Sequence, residues 1–182
     1  IYVNVPFCDS FCSFCPFYKE IYTAGLVAQY VTAITKEIRN SQIEDSPEWI
    51  YFGGGTPNLL NISQLQAIVS ALDSKISLNN LGIELSPKKI TPEYIQALID
   101  MQFSKISIGI ESFNQKVLQK SGRDVVSQKT LQKYIEQAKS AGIFINLDFM
   151  IGLKHQKIDD FLEDIRSALR MKPSQITIYP YM

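Results

Sequence analysis

Cys8, Cys12 and Cys15 are the only cysteines in the chain, and they follow one another as C-x3-C-x2-C. Three thiolates at this spacing can hold three irons of a cubane iron–sulfur cluster and leave the fourth iron free to bind a ligand. That arrangement suits chemistry on a bound molecule better than simple electron storage. Two plainer readings fit less well. A disulfide framework sits badly with an odd count and no secretory signal. A structural zinc site closes with four ligands, and the single histidine, His155, lies far along the chain. Pro6, Phe7, Phe14 and Phe17 flank the cysteines and suit a shielded cluster.

Other residues carry chemistry of their own. Gly53, Gly54 and Gly55 lack Cβ atoms, so backbone groups there can approach a ligand closely; their plainer role is a tight turn after a strand. Glu84, Glu111 and Asp148 are carboxylates at the ends of apolar segments. They can accept hydrogen bonds from hydroxyl or ammonium groups. Arg123 can clamp a carboxylate with two parallel bonds or serve in an ion pair.

These residues need elements to position them. Strand-like and helix-like segments alternate throughout, which predicts a parallel α/β architecture. Strands are expected at 1–5, 49–52, 81–85, 105–110, 144–150 and 175–179. Val27, Tyr30, Val31, Ile34 and Ile38 fall on one helical face, as do Ile158, Phe161, Leu162, Ile165 and Leu169. Ser63 with Gln66 reads as a capping box, and Thr91-Pro92 as a helix start. Trp49 opens the second strand as a packing residue. Six units are too few for a closed eight-stranded barrel, and a doubly wound sheet is the generic competitor.

Side-chain alternation favours an incomplete barrel. Ile106, Ile108 and Ile110 share one face of their strand, while Ser107, Gly109 and Glu111 share the other. The same split separates Leu81, Ile83 and Leu85 from Gly82 and Glu84. It also separates Ile145, Leu147 and Phe149 from Asn146 and Asp148, and Ile176 and Ile178 from Thr177 and Tyr179. The apolar faces can pack under helices. The small polar faces call for a lumen that holds a polar ligand, because bare carboxylates in a tight core are costly. The polar signals gather at the carboxyl ends of the strands, where α/β folds build their sites.

Five motifs in order carry a family resemblance. They are the cysteine triad with Phe14, Tyr51-Phe52-Gly53-Gly54-Gly55-Thr56-Pro57, Gly109-Ile110-Glu111-Ser112-Phe113, Ser121-Gly122-Arg123, and Asp148-Phe149-Met150-Ile151-Gly152-Leu153. Together they resemble the radical S-adenosylmethionine superfamily, in its oxygen-independent coproporphyrinogen III oxidase-like branch, from Tyr2 to the end of the chain. The resemblance implies a six-stranded partial βα barrel and one core domain over 1–182, expected to belong to a longer polypeptide. It also implies a [4Fe-4S] cluster on Cys8, Cys12 and Cys15 whose open iron chelates S-adenosylmethionine. One electron then cleaves the sulfonium and yields a 5′-deoxyadenosyl radical.

The resemblance further implies roles for individual residues. Gly53, Gly54, Gly55 and Thr56 meet the methionine amino group. Glu84, Glu111 and Asp148 serve ribose or ammonium groups, and Arg123 a carboxylate. Tyr2, Phe14, Tyr181 and Met182 are candidates to pack on adenine. His155 stands in Gly-Leu-Lys-His-Gln, where the family often has Gly-Leu-Pro-Gly-Gln, and reads as a loop residue.

Three departures shape the functional expectation. Asn4 stands where the family often has His, Glu111 where it often has Gln, and Phe17 where the coproporphyrinogen enzymes carry a further Cys. The expected reaction is reductive cleavage of S-adenosylmethionine to start radical chemistry. A second S-adenosylmethionine would serve methyl transfer to an aromatic or tetrapyrrole substrate. The alternatives are coproporphyrinogen III dehydrogenation or a haem chaperone of the same branch. The expected partners are a small-molecule substrate and an electron donor such as flavodoxin or ferredoxin. Basic and acidic residues balance at 18 each with no polybasic block, so nucleic acid is not expected. No apolar run approaches the roughly 20 residues that span a bilayer. Thiolates that must stay reduced point to the cytoplasm.

Overall fold

The computed structural model describes residues 1–43 and 47–181. Six strands form one parallel sheet: β1 (Tyr2–Val5), β4 (Ile50–Gly54), β5 (Leu81–Leu85), β6 (Phe103–Glu111), β7 (Phe144–Ile151) and β8 (Gln175–Pro180). Their order in the sheet is their order in the chain, so the sheet winds in one direction and has no switch point. β1 pairs with β4 and β8 with β7, but β1 and β8 do not pair with each other. The barrel is therefore open. The crossovers carry α1 (Ala24–Asn40), α2 (Ile62–Asp73), α3 (Pro92–Asp100), α4 (Gln115–Lys120), α5 (Gln128–Ser140) and α6 (Ile158–Arg170).

Strand alternation sets the core. Ile83, Ile106, Ile108, Leu147 and Phe149 are buried under the helices with Leu65, Ile68, Leu98, Leu131 and Ile135. On α1, Val27 and Ile38 are buried, and Tyr30, Val31 and Ile34 pack against the same core. Thr91 caps α3, accepting from the Tyr94 amide at 3.2 Å, with Pro92 at the first helical position.

Four expectations shift. The capping box of α2 uses Asn61 and Gln64 instead of Ser63 and Gln66: Asn61 Oδ1 accepts from the Gln64 amide and Gln64 Oε1 from the Asn61 amide, each at 2.9 Å. Asn caps as well as Ser, and Ser63 instead donates to Asn61 at 2.8 Å. α6 is rotated from its expected face. It buries Phe161, Asp164, Ser167 and Ala168, while Ile158 and Leu169 remain 62% and 61% exposed. On β8 the apolar face is covered only in part: Ile176 packs against the core, while Ile178 is 47% exposed. Trp49 lies just before β4, exposed, its carbonyl accepting from the Ile1 ammonium at 2.7 Å.

A second, unexpected sheet matters most for the site. β2 (Phe7–Cys8) and β3 (Glu20–Ile21) pair in parallel at the base of the cysteine loop. The Glu20 amide donates to Pro6 O at 2.7 Å, and the Tyr22 amide to Cys8 O at 2.9 Å. The loop that carries the thiols is thus tied at both ends.

Candidate functional site

The cysteine loop is seated on the Ser121-Gly122-Arg123 segment. The Ser13 amide donates to Ser121 O at 3.1 Å, and Ser10 Oγ reaches Gly122 O at 3.4 Å. Gly122 has φ +77°, and a Cβ there would stand 3.0 Å from Phe11 O. Glycine therefore serves both the turn and the close approach. Within the loop the Cys15 amide donates to Cys12 O at 3.2 Å, and Lys19 Nζ to Cys15 O at 2.8 Å. Phe14 packs with Val117, Met150 and Leu153.

The three thiols are free and half-buried. Burial is the main cause that pushes the Cys8 and Cys12 thiols up. Thr56 Oγ1 donates to Cys8 Sγ at 3.7 Å and opposes that rise, and the Arg123 charge opposes it at Cys12. The Cys15 thiolate charge adds to the rise at Cys8, and those of Cys15 and Cys8 add to it at Cys12. Among the described residues no three ligating side chains converge on a single ion. A cubane does not ask for that, because each thiolate takes a different iron. The donor set therefore fits a three-thiolate cluster better than one tetrahedral zinc.

Beside the loop, β4 ends in the three glycines. A Cβ at Gly55 would lie 2.5 Å from Phe7 O, so backbone passes over backbone there. A Cβ at Gly53 would meet the Tyr2 hydroxyl and the Glu84 carboxylate, the latter at 2.9 Å. The Gly54 amide donates to Glu84 Oε2 at 3.3 Å. Burial raises the Glu84 carboxyl above its ordinary value; the Gly54 bond opposes this and the Asp148 charge adds to it.

Glu111 sits where β6 ends, on the lumen side with Gly109, while Ile110 is buried under the helices. The pairing with β7 slips between Gly109 and Glu111. Glu111 has φ +64°, and the Ser112 amide donates to Ile110 O at 2.8 Å, closing a γ-turn around it. Such backbone strain persists where surrounding structure holds it. Here Asp164 of α6 accepts from Ser112 Oγ at 2.6 Å and from the Phe113 amide at 2.8 Å. Arg123 Nη1 bonds Glu111 Oε1 at 2.9 Å, and Nη2 donates to Gly109 O at 2.7 Å. Burial pushes the Glu111 carboxyl up, against the pull of Arg123.

The lumen floor is a hydrogen-bonded layer. Ser107 Oγ donates to Asp148 Oδ2 at 2.5 Å, and Asn146 Nδ2 donates to Ser107 Oγ at 2.7 Å and to Asp148 Oδ1 at 2.8 Å. Thr177 Oγ1 donates to Asn146 Oδ1 at 2.9 Å. The Tyr51 hydroxyl lies beside Ser107, and its ring occupies the space a Cβ on Gly82 would need. Tyr2 stacks on Tyr51 with centroids 6.4 Å apart.

Tyr51 is a lumen residue that the sequence marks only through its neighbour: Gly82 is a glycine inside a strand, which marks close approach of another group.

The structure thus brings together the three cysteines, Gly53–Thr56, Glu84, Glu111, Arg123, Asp148 and Tyr2. Phe14 stands at the edge, in its own apolar cluster. Tyr181 follows β8 beside Gly152, its amide donating to Ile151 O at 2.8 Å. Met182 lies outside the described residues. No described helix is long and apolar enough to cross a membrane.

Comparison with known proteins agrees with this fold. The family description that matches, over residues 2–168, is the radical SAM superfamily. The chain is 30% identical over 184 residues to the haem chaperone HemW of Lactococcus lactis, covering 98% of this chain and 48% of that protein. It is 28% identical to the oxygen-independent coproporphyrinogen III oxidase of Pseudomonas aeruginosa, covering 100% of this chain and 42% of that one. The solved coproporphyrinogen III oxidase HemN of Escherichia coli superposes with a TM-score of 0.92 at 24% identity, over 100% of this chain and 43% of that chain. The chain therefore spans less than half the length of these relatives.

Proposed function

The chain belongs to the radical SAM superfamily, and from that premise we propose that it binds a [4Fe-4S] cluster and S-adenosylmethionine to start radical chemistry on a tetrapyrrole-related small molecule. The observation that carries this reading is the convergence of three free thiols with the glycine turn, Thr56 and the Glu111–Arg123 pair at one rim of an open parallel barrel. When bound, the cluster would supply one electron for cleaving the sulfonium, drawn from a donor such as flavodoxin or ferredoxin.

The protein's own residues do the positioning. Cys8, Cys12 and Cys15 hold the cluster, and the β2–β3 pair fixes the loop that presents them. Gly53–Gly55 let backbone groups reach the cofactor's amino group. Arg123 donates to its carboxylate. Glu84 and Asp148 accept from ribose hydroxyls, and Tyr2 offers a ring beside them. Asp148 arrives oriented, because Ser107 and Asn146 already hold both its oxygens.

Relatives guide the choice among reactions. Methyl transfer with a second S-adenosylmethionine draws no support from the relatives above, whose names speak of a haem chaperone and an oxidase. A second reading, the haem chaperone, is favoured by the identity to HemW and by Phe17, which stands 72% exposed beside the cysteine loop where the family resemblance implies a further Cys in an oxidase. Anaerobic reconstitution, then incubation with dithionite and S-adenosylmethionine, separates the two. Release of 5′-deoxyadenosine with a tetrapyrrole substrate supports the enzyme. Stable haem binding with no 5′-deoxyadenosine supports the chaperone. Cys12→Ala should lose the broad visible absorption of a thiolate-ligated cluster; near-full iron content in that variant would overturn the ligand assignment.

A further inference from the structure

A second cluster of charged groups lies outside the cysteine site. Lys116, Lys120, Lys157 and His155 line one cleft of about 540 Å³. It opens between α4 and the loop joining β7 to α6, and so belongs to the same rim as the cysteine loop. Lys116 and Lys120 are one helical turn apart and face the same way. None of the three lysines has a carboxylate within ion-pair distance among the described residues. The acid in the lining is Asp160, and both its oxygens are already used. Oδ1 accepts from Asn114 Nδ2 and Oδ2 from the Lys157 amide, each at 2.9 Å.

Three exposed lysines against the single carboxylate of Asp160, which its two neutral donors leave charged, give the hollow a net positive lining that attracts anions. The chain as a whole has no net charge, so this is no overflow of a basic surface. The floor is firm. Val117 is buried and packs with Met150, Leu153 and Phe14, the residue before Cys15. His155 adds ring nitrogens at the mouth, held at φ +68°, a backbone state that glycine adopts with less strain.

We propose that this cleft is a second ligand site, for a small molecule bearing two or more carboxylate or phosphate groups. Its few hundred cubic ångströms suit a small molecule. A nucleic acid would need a longer basic track. The site goes beyond the cofactor reading and does not depend on it.

The test titrates tricarballylate and, separately, pyrophosphate into the intact cluster-loaded protein, followed by calorimetry and by amide shifts at Lys116–Lys120. Saturable binding of at least one anion is expected, weakened by added salt as screening requires. Tricarballylate alone would identify carboxylate as the group recognised, and pyrophosphate alone phosphate. Lys116→Glu with Lys120→Glu should weaken binding by about tenfold or more, the scale of charge reversal at short range. Lys36→Glu, on α1, should leave it unchanged. His155→Gly should raise the melting temperature while weakening the anion severalfold. No saturable binding of either anion, or equal weakening by Lys36→Glu, would overturn the proposal. So would capture of an acidic protein alone, lost in the double variant, which would make the patch a docking face instead.

Discussion

Glu84 is the least compensated charge at the site. It is largely buried, takes one long bond from the Gly54 amide at 3.3 Å, and has no cation paired with it among the described residues. Its carboxyl is raised above 4.5 by burial. A raised folded-state value means the folded protein holds the proton more tightly than the unfolded chain. Stability of the cofactor-free protein should therefore fall as pH rises from about 4.5 through the raised value, and stay lower above it. Glu84→Gln should remove that fall and stabilise the cofactor-free protein at neutral pH by about 1 kcal/mol, while weakening S-adenosylmethionine binding. Urea melts across pH and a binding isotherm check both halves; a variant less stable at neutral pH would contradict the account. Gly55 makes the opposite case. Its missing Cβ would meet the Phe7 carbonyl at 2.5 Å, and backbone cannot step aside like a side chain. Gly55→Ala should cost about 2 kcal/mol, in the upper range for single substitutions, and should displace β2 and with it Cys8. Iron content after reconstitution reads the displacement.

At the scale of elements, α6 positions the site from outside it. Asp164 and Asp160 reach from its first turns to the β6–α4 turn, holding Ser112, Phe113 and Asn114. That turn carries Glu111 in its γ-turn, and Glu111 holds Arg123. Asp164→Ala would leave the buried Ser112 hydroxyl and the half-buried Phe113 amide without their acceptor, so it should cost about 2–4 kcal/mol. It should also weaken S-adenosylmethionine binding, although it does not line the lumen. Leu162→Ala, on the exposed face of the same helix, should cost under about 0.5 kcal/mol and leave binding unchanged. Equal effects of the two would mean the helix acts by packing alone. The sequence shows only part of this. Period-two alternation made the lumen and helix faces of β5, β6 and β7 legible, and the cysteine spacing marked the loop. Period 3.6 on α6 showed that an apolar stripe exists, but not which neighbour would cover it, so nothing in the pattern marked Asp164 as a buried residue. The slip at Gly109–Glu111 left no trace, because a left-handed glutamate looks like any other in sequence. Two good caps two residues apart, Asn61 and Ser63, left the start of α2 ambiguous.

Over the whole molecule, winding in one direction puts every strand's carboxyl end on one rim, which is why segments far apart in sequence meet at the cysteines. Leaving β1 and β8 unpaired keeps the lumen open to a ligand. The same openness leaves apolar surface in water at the β8 end. Ile158, Leu162 and Leu169 lie four and seven residues apart, so they share one face of α6. That face is about 16 Å long at the helical rise, and all three side chains are exposed. Parallel sheets are usually covered on both faces, yet Ile178 on β8 is exposed as well. Replacing exposed leucines with charge removes nothing from the core, because α6 is anchored by Phe161, Asp164 and Ala168 on its other side. Leu162→Lys with Leu169→Lys in the 182-residue chain should therefore leave the unfolding midpoint within about 0.5 kcal/mol of the parent. It should also lower binding of an apolar fluorescent dye and self-association in sedimentation. A large loss of stability in this variant would show instead that the stripe is packed within the folded chain.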